Sequence, residues 1–418
     1  MNKQSIQNII DIFPCKEWFV DIIAEQADEL LPKDFVKTIN DIISKLFGCN
    51  ENKAIVSSNY DLEVIYELAW EHINMGIYKD VPSIWRKVYS ISCLLLVYNN
   101  LKNMLKQMDL QLLKKSLYLC DMSLMMGGEL KHDNNVGSVI AKNIHSIVVK
   151  IEGVKFKDQK FKTENLDYNE LLSITSEKCV PLAKIDSPSI IEFLEILHKN
   201  VPVILTNVIN DWSALSSNKW SVEYIKEKCG YRTVPIEIGS SYANSDWTQK
   251  LMTVNEFIDE YFYESNNTSI AYMAQHYLFS QISELYDHIS IPDYCFINSS
   301  VEKNEVDING WFGPAGTVSP LHQDPKPNFL CQVFGEKYIK LYLSNQTEFL
   351  YPNSTTMLKN TSKVDVLNPD IKKFPLFAKA EGYYSYLKPG EILFIPPKCW
   401  HYVKSVSPSF SVNFWWNE

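Results

Sequence analysis

Two histidines and one aspartate have the types and spacing that could hold a catalytic metal. His322 and Asp324 stand two positions apart in the strand-like run "SPLHQDPKPNFL", and alternate residues of a strand face the same side. His401 comes later, in "KCWHYVKSV", on a face that it shares with Cys399 and Val403. Two imidazoles and one carboxylate form the facial triad of non-haem iron(II) oxygenases, which leaves coordination positions open. The same residues also fit a pair of hydrogen-bonded core side chains.

A lysine in a nearby strand indicates what the open positions could bind. In "GEKYIKLY", Lys337 shares one face with Ile339 and Leu341, and Lys340 lies on the other. If the apolar face points inward, Lys337 is buried, where an unpaired ammonium costs several kcal/mol or loses its proton. An acidic ligand such as 2-oxoglutarate would pair with it, and Tyr272 in "SIAYMA" would donate a second hydrogen bond. A hairpin that faces the other way would leave Lys337 in solvent.

The elements that position these residues are short strands in the second part of the chain. From about residue 181 onward, runs such as "PVILTNV", "GEILFIPP" and "SFSVNFWW" alternate with Gly, Pro, Asn and Asp. Many short strands with turn signals predict a barrel or sandwich. A helix is predicted near Ser187–Leu197, with a serine cap before Pro188, and another near Val254–Tyr263.

Residues 1–150 instead carry apolar stripes at helical spacing. The stripes begin behind Asp34 and Asp61 and continue over Ile84–Leu105 and Leu110–Met126. No repeat period is evident, so a named helical solenoid is not predicted. The sequence predicts a helical packing or partner-binding domain over residues 1–150, a lysine-rich linker over 151–180 and a β-rich domain over 181–418.

Composition narrows the class of protein. The chain has 418 residues and a net charge of −10, which disfavours a general attraction to nucleic acid or anionic lipid. The nine cysteines include no C-x-x-C pair, which argues against a zinc module and a disulfide framework and fits reduced thiols in cytosol or nucleus. The sequence shows no signal peptide and no run of about 18 uncharged apolar residues, so no membrane span is predicted.

Taken together, these residues resemble the JmjC-domain Fe(II)/2-oxoglutarate oxygenases, from about residue 181 to the end. The resemblance rests on "WFGPAGTVSPLHQDPKPNFLCQVFGEKYIKLY" and "LKPGEILFIPPKCWHYVKSVSPSFSVNFWW". It implies an α+β protein, with an all-helical N-terminal domain followed by a double-stranded β-helix (jelly-roll, cupin-like). It implies Fe(II), 2-oxoglutarate and O2, with iron on His322, Asp324 and His401. The residues implied for 2-oxoglutarate are Tyr272, Ser319, Asn328 and Lys337.

Within this family the chain resembles a subgroup that is similar to protein arginyl hydroxylases, which place a hydroxyl group on C3 of arginine. Their substrate pocket pairs an acid with aromatic walls, and the matching positions are Glu237, Trp247, Trp311 and Trp415. A carboxylate holds a guanidinium in bidentate fashion, and Trp faces add cation–π attraction of roughly 0.5–2 kcal/mol. Core packing for each Trp and a solvated position for Glu237 are the alternatives.

The resemblance implies a protein or peptide substrate that bears arginine, such as a histone or a ribosome- or chromatin-associated protein. It implies a nuclear or cytoplasmic monomer, because related dimers carry an extra C-terminal helical tail, and it implies no direct contact with nucleic acid or membrane. Three alternatives stay open: an N-methyl-lysine demethylase of histone tails, a histone-tail peptidase that uses a metal or Cys399, and a non-catalytic binding module.

Overall fold

The structure of the protein is a computed structural model. It describes residues 3–48, 54–76, 80–128, 130, 136–163, 178–239, 247–264, 269–297, 305–355 and 358–417. Contacts divide the chain into two compact units. The first unit comprises Met1–Lys155, Cys229–Thr233 and Ser280–Glu284, and the second comprises Phe156–Lys228, Val234–Phe279 and Leu285–Glu418. The domain limits predicted at residues 150 and 181 stay predictions.

Helices make up most of the first unit. Those that the structure bounds are α1 (Lys3–Ile10), α2 (Lys16–Leu30), α3 (Lys33–Phe47), α4 (Ala54–Asn74), α5 (Ser83–Met104), α6 (Leu110–Met126) and α7 (Val136–Glu152). Asp109 caps α6 by accepting hydrogen bonds from the backbone N–H groups of Gln111 and Leu112. Asp61 lies inside α4, so the predicted start there is wrong, because an apolar stripe marks the buried face of a helix and not its first turn. None of the described helices is long and apolar enough to cross a membrane.

Further helices follow along the chain. They are α8 (Ile190–Lys199), α9 (Val222–Cys229), α10 (Val254–Tyr261), α11 (Leu278–Gln281) and α12 (Ser283–Tyr286). The prediction that Ser187 caps the first of these, with Pro188 as its first residue, is wrong. Ser189 caps α8 in a capping box. The Ser189 hydroxyl accepts a hydrogen bond from the Glu192 backbone N–H, and the Glu192 carboxylate accepts one from the Ser189 backbone N–H. Ser187 has a positive φ of 38°, which a helix cap does not adopt.

The second unit is built on two sheets whose strand pairs are mostly antiparallel. The strands are β1 (Cys179–Pro181), β2 (Lys184–Asp186), β3 (Val203–Thr206), β4 (Thr233–Ile238), β5 (Thr248–Thr253), β6 (Ala271–His276), β7 (Asp307–Gly313), β8 (Val318–Gln323), β9 (Asn328–Phe334), β10 (Lys337–Tyr342), β11 (Gly382–Leu387), β12 (Ile392–Ile395), β13 (Trp400–Ser405) and β14 (Ser409–Trp415). The smaller sheet has the order β1-β11-β10-β13-β8, and the larger has β2-β3-β12-β9-β14-β7-β6-β4-β5. The predicted α+β class is confirmed.

Strand β10 has a buried residue at every position, because both of its faces are covered. Ile339 and Leu341 pack in an inner cluster with Leu330 of β9. Tyr338 and Tyr342 pack on the opposite face in a cluster that includes Val366 and Phe377. The turn from β9 into β10 uses Gly335 at φ +72°, where an added Cβ would lie 2.1 Å from the Pro408 carbonyl oxygen, so only glycine fits.

Candidate active site

Two adjacent strands bring the metal-ligand candidates together. His322 on β8 lies directly opposite His401 on β13, and their ring centroids are 4.1 Å apart. Asp324 follows β8, and its Oδ2 lies 3.8 Å from His401 Nε2. One ligand atom from each of these three residues lies within 4.8 Å of those of the other two, an arrangement found once among the described His, Cys, Asp and Glu side chains. The three side chains are close enough to converge on one metal ion.

Both imidazoles are oriented by a backbone carbonyl two residues earlier in the chain. His322 Nδ1 lies 2.7 Å from the Pro320 carbonyl oxygen, and His401 Nδ1 lies 3.0 Å from that of Cys399. Since a carbonyl oxygen only accepts, each Nδ1 carries a hydrogen, so in the neutral ring Nε2 has the lone pair that a metal needs. Burial lowers the pKa of His401 to about 4. The neighbouring His322 also lowers this pKa, whereas the charge of Asp324 raises it. His401 is therefore neutral at pH 7, the form that binds metals.

The buried lysine lies in the same cavity. Lys337 is 1% exposed, and its Nζ donates a hydrogen bond to the Tyr272 hydroxyl at 3.1 Å. Burial lowers the pKa of Lys337 to about 7. Burial raises the pKa of Tyr272, and the charge of Glu237 raises it further. No ion pair among the described residues joins Lys337 to a carboxylate, so the cavity offers an ammonium and a hydroxyl to an acidic ligand.

The cavity around these groups has an empty volume of about 340 Å³, which includes space open to solvent. Its walls hold the residues implied for iron and 2-oxoglutarate together with two of the tryptophans implied for substrate. These lining residues are Tyr272, Trp311, Ser319, His322, Asp324, Asn328, Lys337, His401 and Trp415. Trp415 Nε1 donates a hydrogen bond to Asp324 Oδ2 at 3.3 Å, so this indole contacts a metal-ligand candidate directly.

Glu237 and Trp247, the other two predicted substrate residues, do not line this cavity. Glu237 on β4 lies directly opposite Tyr272 on β6 and is half-buried. Burial raises the pKa of the Glu237 carboxyl, and a hydrogen bond with Trp247 opposes this rise. Trp247 is 38% exposed. The Trp311 and Tyr272 ring centroids are 5.7 Å apart, so Tyr272 neighbours both Glu237 and a tryptophan of the cavity wall.

The structure adds a polar cavity residue that was not predicted. Asn413 on β14 lines the cavity, and its Nδ2 donates a hydrogen bond to Asn328 Oδ1 at 2.6 Å. The remaining additional lining residues are apolar: Leu330, Ile395 and Val403. The available signal was the polar Asn413 in the apolar run "SFSVNFWW", two positions before Trp415 and so on the same face.

Comparisons with known proteins agree with this arrangement. A family model described as a cupin-like domain matches residues 189–418, and a model described as "KDM8-like, N-terminal ARM repeats" matches residues 34–155. The chain is 41% identical to lysine-specific demethylase 8 of Danio rerio, over 85% of this chain and 86% of that protein. It is 38% identical to lysine-specific demethylase 8 of Xenopus tropicalis, over 94% and 96%, and 37% identical to Jumonji C domain-containing protein 5 of Drosophila melanogaster, over 95% and 96%.

The match to ARM repeats corrects the prediction for the helical half, in which no repeat was found. Repeats of this kind are defined by how helices stack, and the residues at equivalent positions can differ, so sequence periodicity alone did not reveal them. The family predicted for the β-rich half is confirmed, and so is its cupin-like fold. The chain therefore belongs to the JmjC-domain oxygenases, in the branch of lysine-specific demethylase 8 and JmjC domain-containing protein 5, a family that typically uses Fe(II) and 2-oxoglutarate.

Proposed function

We propose that this protein is an Fe(II)- and 2-oxoglutarate-dependent protein hydroxylase that places a hydroxyl group on C3 of arginine residues. The half-buried carboxylate of Glu237 is the observation that carries the proposal. No ion pair among the described residues involves Glu237, and burial raises its pKa. A half-buried carboxylate is stabilised by a partner that is always positively charged and can donate two parallel hydrogen bonds. The planar guanidinium of an arginine side chain has both properties.

The aromatic residues support the same substrate. Trp311 and Trp415 line the cavity, and Trp247 lies beside Glu237 at a more exposed position. A guanidinium held by Glu237 would find indole faces close by, and each cation–π contact is worth roughly 0.5–2 kcal/mol. These contacts would hold the arginine so that its C3 hydrogen lies near the metal position and other C–H bonds lie away from it.

The remaining cavity residues fit the two cofactors. His322, Asp324 and His401 would hold Fe(II) through two imidazole Nε2 atoms and one carboxylate oxygen. The residues that would hold 2-oxoglutarate are Tyr272, Ser319, Asn328 and Lys337. Bound Fe(II), together with 2-oxoglutarate, supplies the activation of O2 that inserts one oxygen atom into a C–H bond. Lys337 would neutralise the distal carboxylate, and Tyr272 would donate a hydrogen bond to it.

Mass spectrometry tests this function. Arginine-bearing peptides are incubated with the protein, Fe(II), 2-oxoglutarate and O2, and a gain of about 16 Da, one oxygen atom, is expected on arginine. The gain should require 2-oxoglutarate and be accompanied by succinate. Peptides in which lysine replaces arginine are the control and should remain unmodified. Succinate formation without any modified arginine across a broad peptide library would reject the arginine assignment.

A second candidate, N-methyl-lysine demethylation, is favoured by the names of the Danio rerio and Xenopus tropicalis relatives. It uses the same iron and 2-oxoglutarate and differs in the side chain that enters the cavity. Methylated lysine peptides would then lose about 14 Da for each methyl group removed, with formaldehyde as the second product. Offering both peptide types to one preparation separates the two functions.

The peptidase alternative has less support. Cys399 is 2% exposed, its Sγ donates to the Tyr342 carbonyl oxygen at 3.4 Å, and burial raises the pKa of its thiol. A nucleophilic cysteine needs a lowered pKa and access to the substrate, and Cys399 has neither. Peptide cleavage that proceeds without 2-oxoglutarate would revive this alternative.

We also propose that the protein acts as a monomer in the nucleus on an arginine-bearing protein, such as a histone or a ribosome-associated protein. The names of the relatives as lysine-specific demethylases support a protein substrate. Light scattering after size-exclusion chromatography would give the oligomeric state, and imaging of the tagged chain would give its location.

A further inference from the structure

We propose that Asn413 is a positioning residue that directs the side-chain amide of Asn328 toward 2-oxoglutarate. The proposal rests on the proposed function, because it assumes that Asn328 contacts this co-substrate. It assigns Asn413 a role in co-substrate affinity, while Trp415, two positions later on the same face, contacts the metal-ligand candidate Asp324.

The two asparagines meet across neighbouring strands. Asn328 begins β9 and pairs with Trp415 of β14, and Asn413 pairs with Leu330, so the two amides are diagonal neighbours on one face. Asn413 Nδ2 donates to Asn328 Oδ1 at 2.6 Å. Asn328 is 2% exposed and Asn413 is 3% exposed, and both line the cavity. Solvent therefore does not compete for this contact.

The direction of the hydrogen bond decides what Asn328 can offer. An asparagine amide has an accepting oxygen and a donating NH2 group of nearly the same shape. At neutral pH the oxygens of 2-oxoglutarate only accept, so the Nδ2 of Asn328 is the atom able to bind them. Because Asn413 occupies Asn328 Oδ1, the NH2 group of Asn328 is left to face an acidic ligand.

This arrangement leaves a polar atom of Asn413 unsatisfied. Asn413 Oδ1 is buried and has no hydrogen-bond partner among the described residues. A buried acceptor without a partner costs free energy, and native structures contain few of them. The proposed role gives this cost a function, because the arrangement presents a donor to an acidic co-substrate.

Asn309 provides a matched control. It lies directly opposite Asn413 on β7, is 2% exposed, and its Oδ1 is also buried without a described partner. It is not among the described residues that line the cavity, and no hydrogen bond between its side chain and Asn328 is found among them. The same substitution at Asn309 therefore changes charge or volume on the neighbouring strand of the same sheet and leaves the Asn328 contact intact.

The test measures 2-oxoglutarate binding by calorimetry on the full-length protein, with Mn(II) in place of Fe(II) so that no turnover occurs. Asn413→Asp turns the donor into an acceptor and should weaken binding roughly ten- to a hundredfold, and Asn413→Leu should weaken it about three- to tenfold. Each should lose at least about threefold more affinity than Asn309→Asp or Asn309→Leu. Equal losses at the two positions would overturn the proposal.

Steady-state kinetics with Fe(II) give a second readout. The Asn413 variants should raise KM for 2-oxoglutarate and keep kcat close to wild type at saturating 2-oxoglutarate, whereas a purely structural role would lower kcat and leave KM unchanged. If Asn413→Asp does not fold, as judged by circular dichroism, the comparison of Asn413→Leu with Asn309→Leu decides the outcome. A wild-type protein that binds no 2-oxoglutarate would reject the proposed function itself, whereas wild-type binding with equal losses at Asn413 and Asn309 would reject only the role of Asn413.

Discussion

Lys337 and Lys340 stand three positions apart on β10, and their ammonium groups are buried on opposite faces of that strand. Lys337 faces the cavity and donates to the Tyr272 hydroxyl. Lys340 donates a hydrogen bond to the Val366 carbonyl oxygen at 3.4 Å, where packed side chains cover the outer face of the strand. Burial lowers the pKa of both side chains, to about 7 for Lys337. The strand thus carries one ammonium beside space for an acidic ligand and one beneath packed side chains.

The first prediction concerns the pH dependence of 2-oxoglutarate binding. The bound dianion favours charged Lys337, whose pKa in the free protein is about 7. Below pH 7 the lysine is already protonated and affinity should stay level. Above pH 7 binding must take up a proton, so affinity should fall by up to about tenfold per pH unit. Calorimetry in buffers of different ionisation enthalpy would count the protons taken up, and Lys337→Arg should remove the dependence. Level affinity from pH 6 to 9 in the wild type would contradict the prediction.

The second prediction concerns stability. The pKa of Lys340 is lowered on folding, so its protonated form destabilises the folded state at pH 7, and this cost diminishes as pH rises toward the ordinary value of 10.5. Lys340→Met should raise the free energy of unfolding by about 1 kcal/mol at pH 7. Chemical denaturation measures this change. Lys337→Met is the matched variant, which should also stabilise the fold and in addition abolish 2-oxoglutarate binding. A less stable Lys340→Met protein would count against this explanation.

The third prediction concerns the metal ligands. His322→Ala or Asp324→Ala should reduce succinate and oxidised product together by at least about a thousandfold, because two ligands leave the metal weakly held. Calorimetry with Mn(II) would measure the loss of metal affinity independently of activity. Gln323→Ala is the control, since its side chain points to the opposite side of the strand. Turnover that persists in both ligand variants would reject the iron assignment.

The fourth prediction concerns substrate choice. Glu237→Gln keeps the shape of the side chain and removes its charge, so KM for an arginine peptide should rise roughly ten- to a hundredfold. Glu237→Ala should remove detectable arginine oxidation. Slow 2-oxoglutarate turnover without peptide should remain, because Glu237 does not line the cavity of the metal-ligand candidates. Unchanged arginine oxidation in both variants would show that Glu237 does not hold the substrate arginine.

Local spacing predicted the parts of the site that lie within single strands. His322 and Asp324 share a face because of the period of two, and the same rule sets Lys337 beside Ile339. His401 was predicted from its residue type and its strand, and the register that sets it opposite His322 is visible only in the folded sheet.

The features that were missed depend on contacts between distant segments. The hydrogen bond between Asn413 and Asn328 requires β14 and β9 to pair in one register, which no local pattern encodes. The burial of Lys340 depends on the segment around Val366 and Phe377 that covers the outer face of β10. The cap at Ser189 was missed because Ser187 and Pro188 present an equally good local signal.

Each imidazole of the ligand pair is held by a carbonyl only two residues earlier in the chain, Pro320 for His322 and Cys399 for His401. The rotation of both rings is therefore fixed as soon as the sheet forms, and no ion is needed to set it. We expect metal uptake to be fast and reversible, with little reorganisation of the polypeptide. A chelator should thus strip the protein of metal without unfolding it, and activity should return when fresh Fe(II) is added.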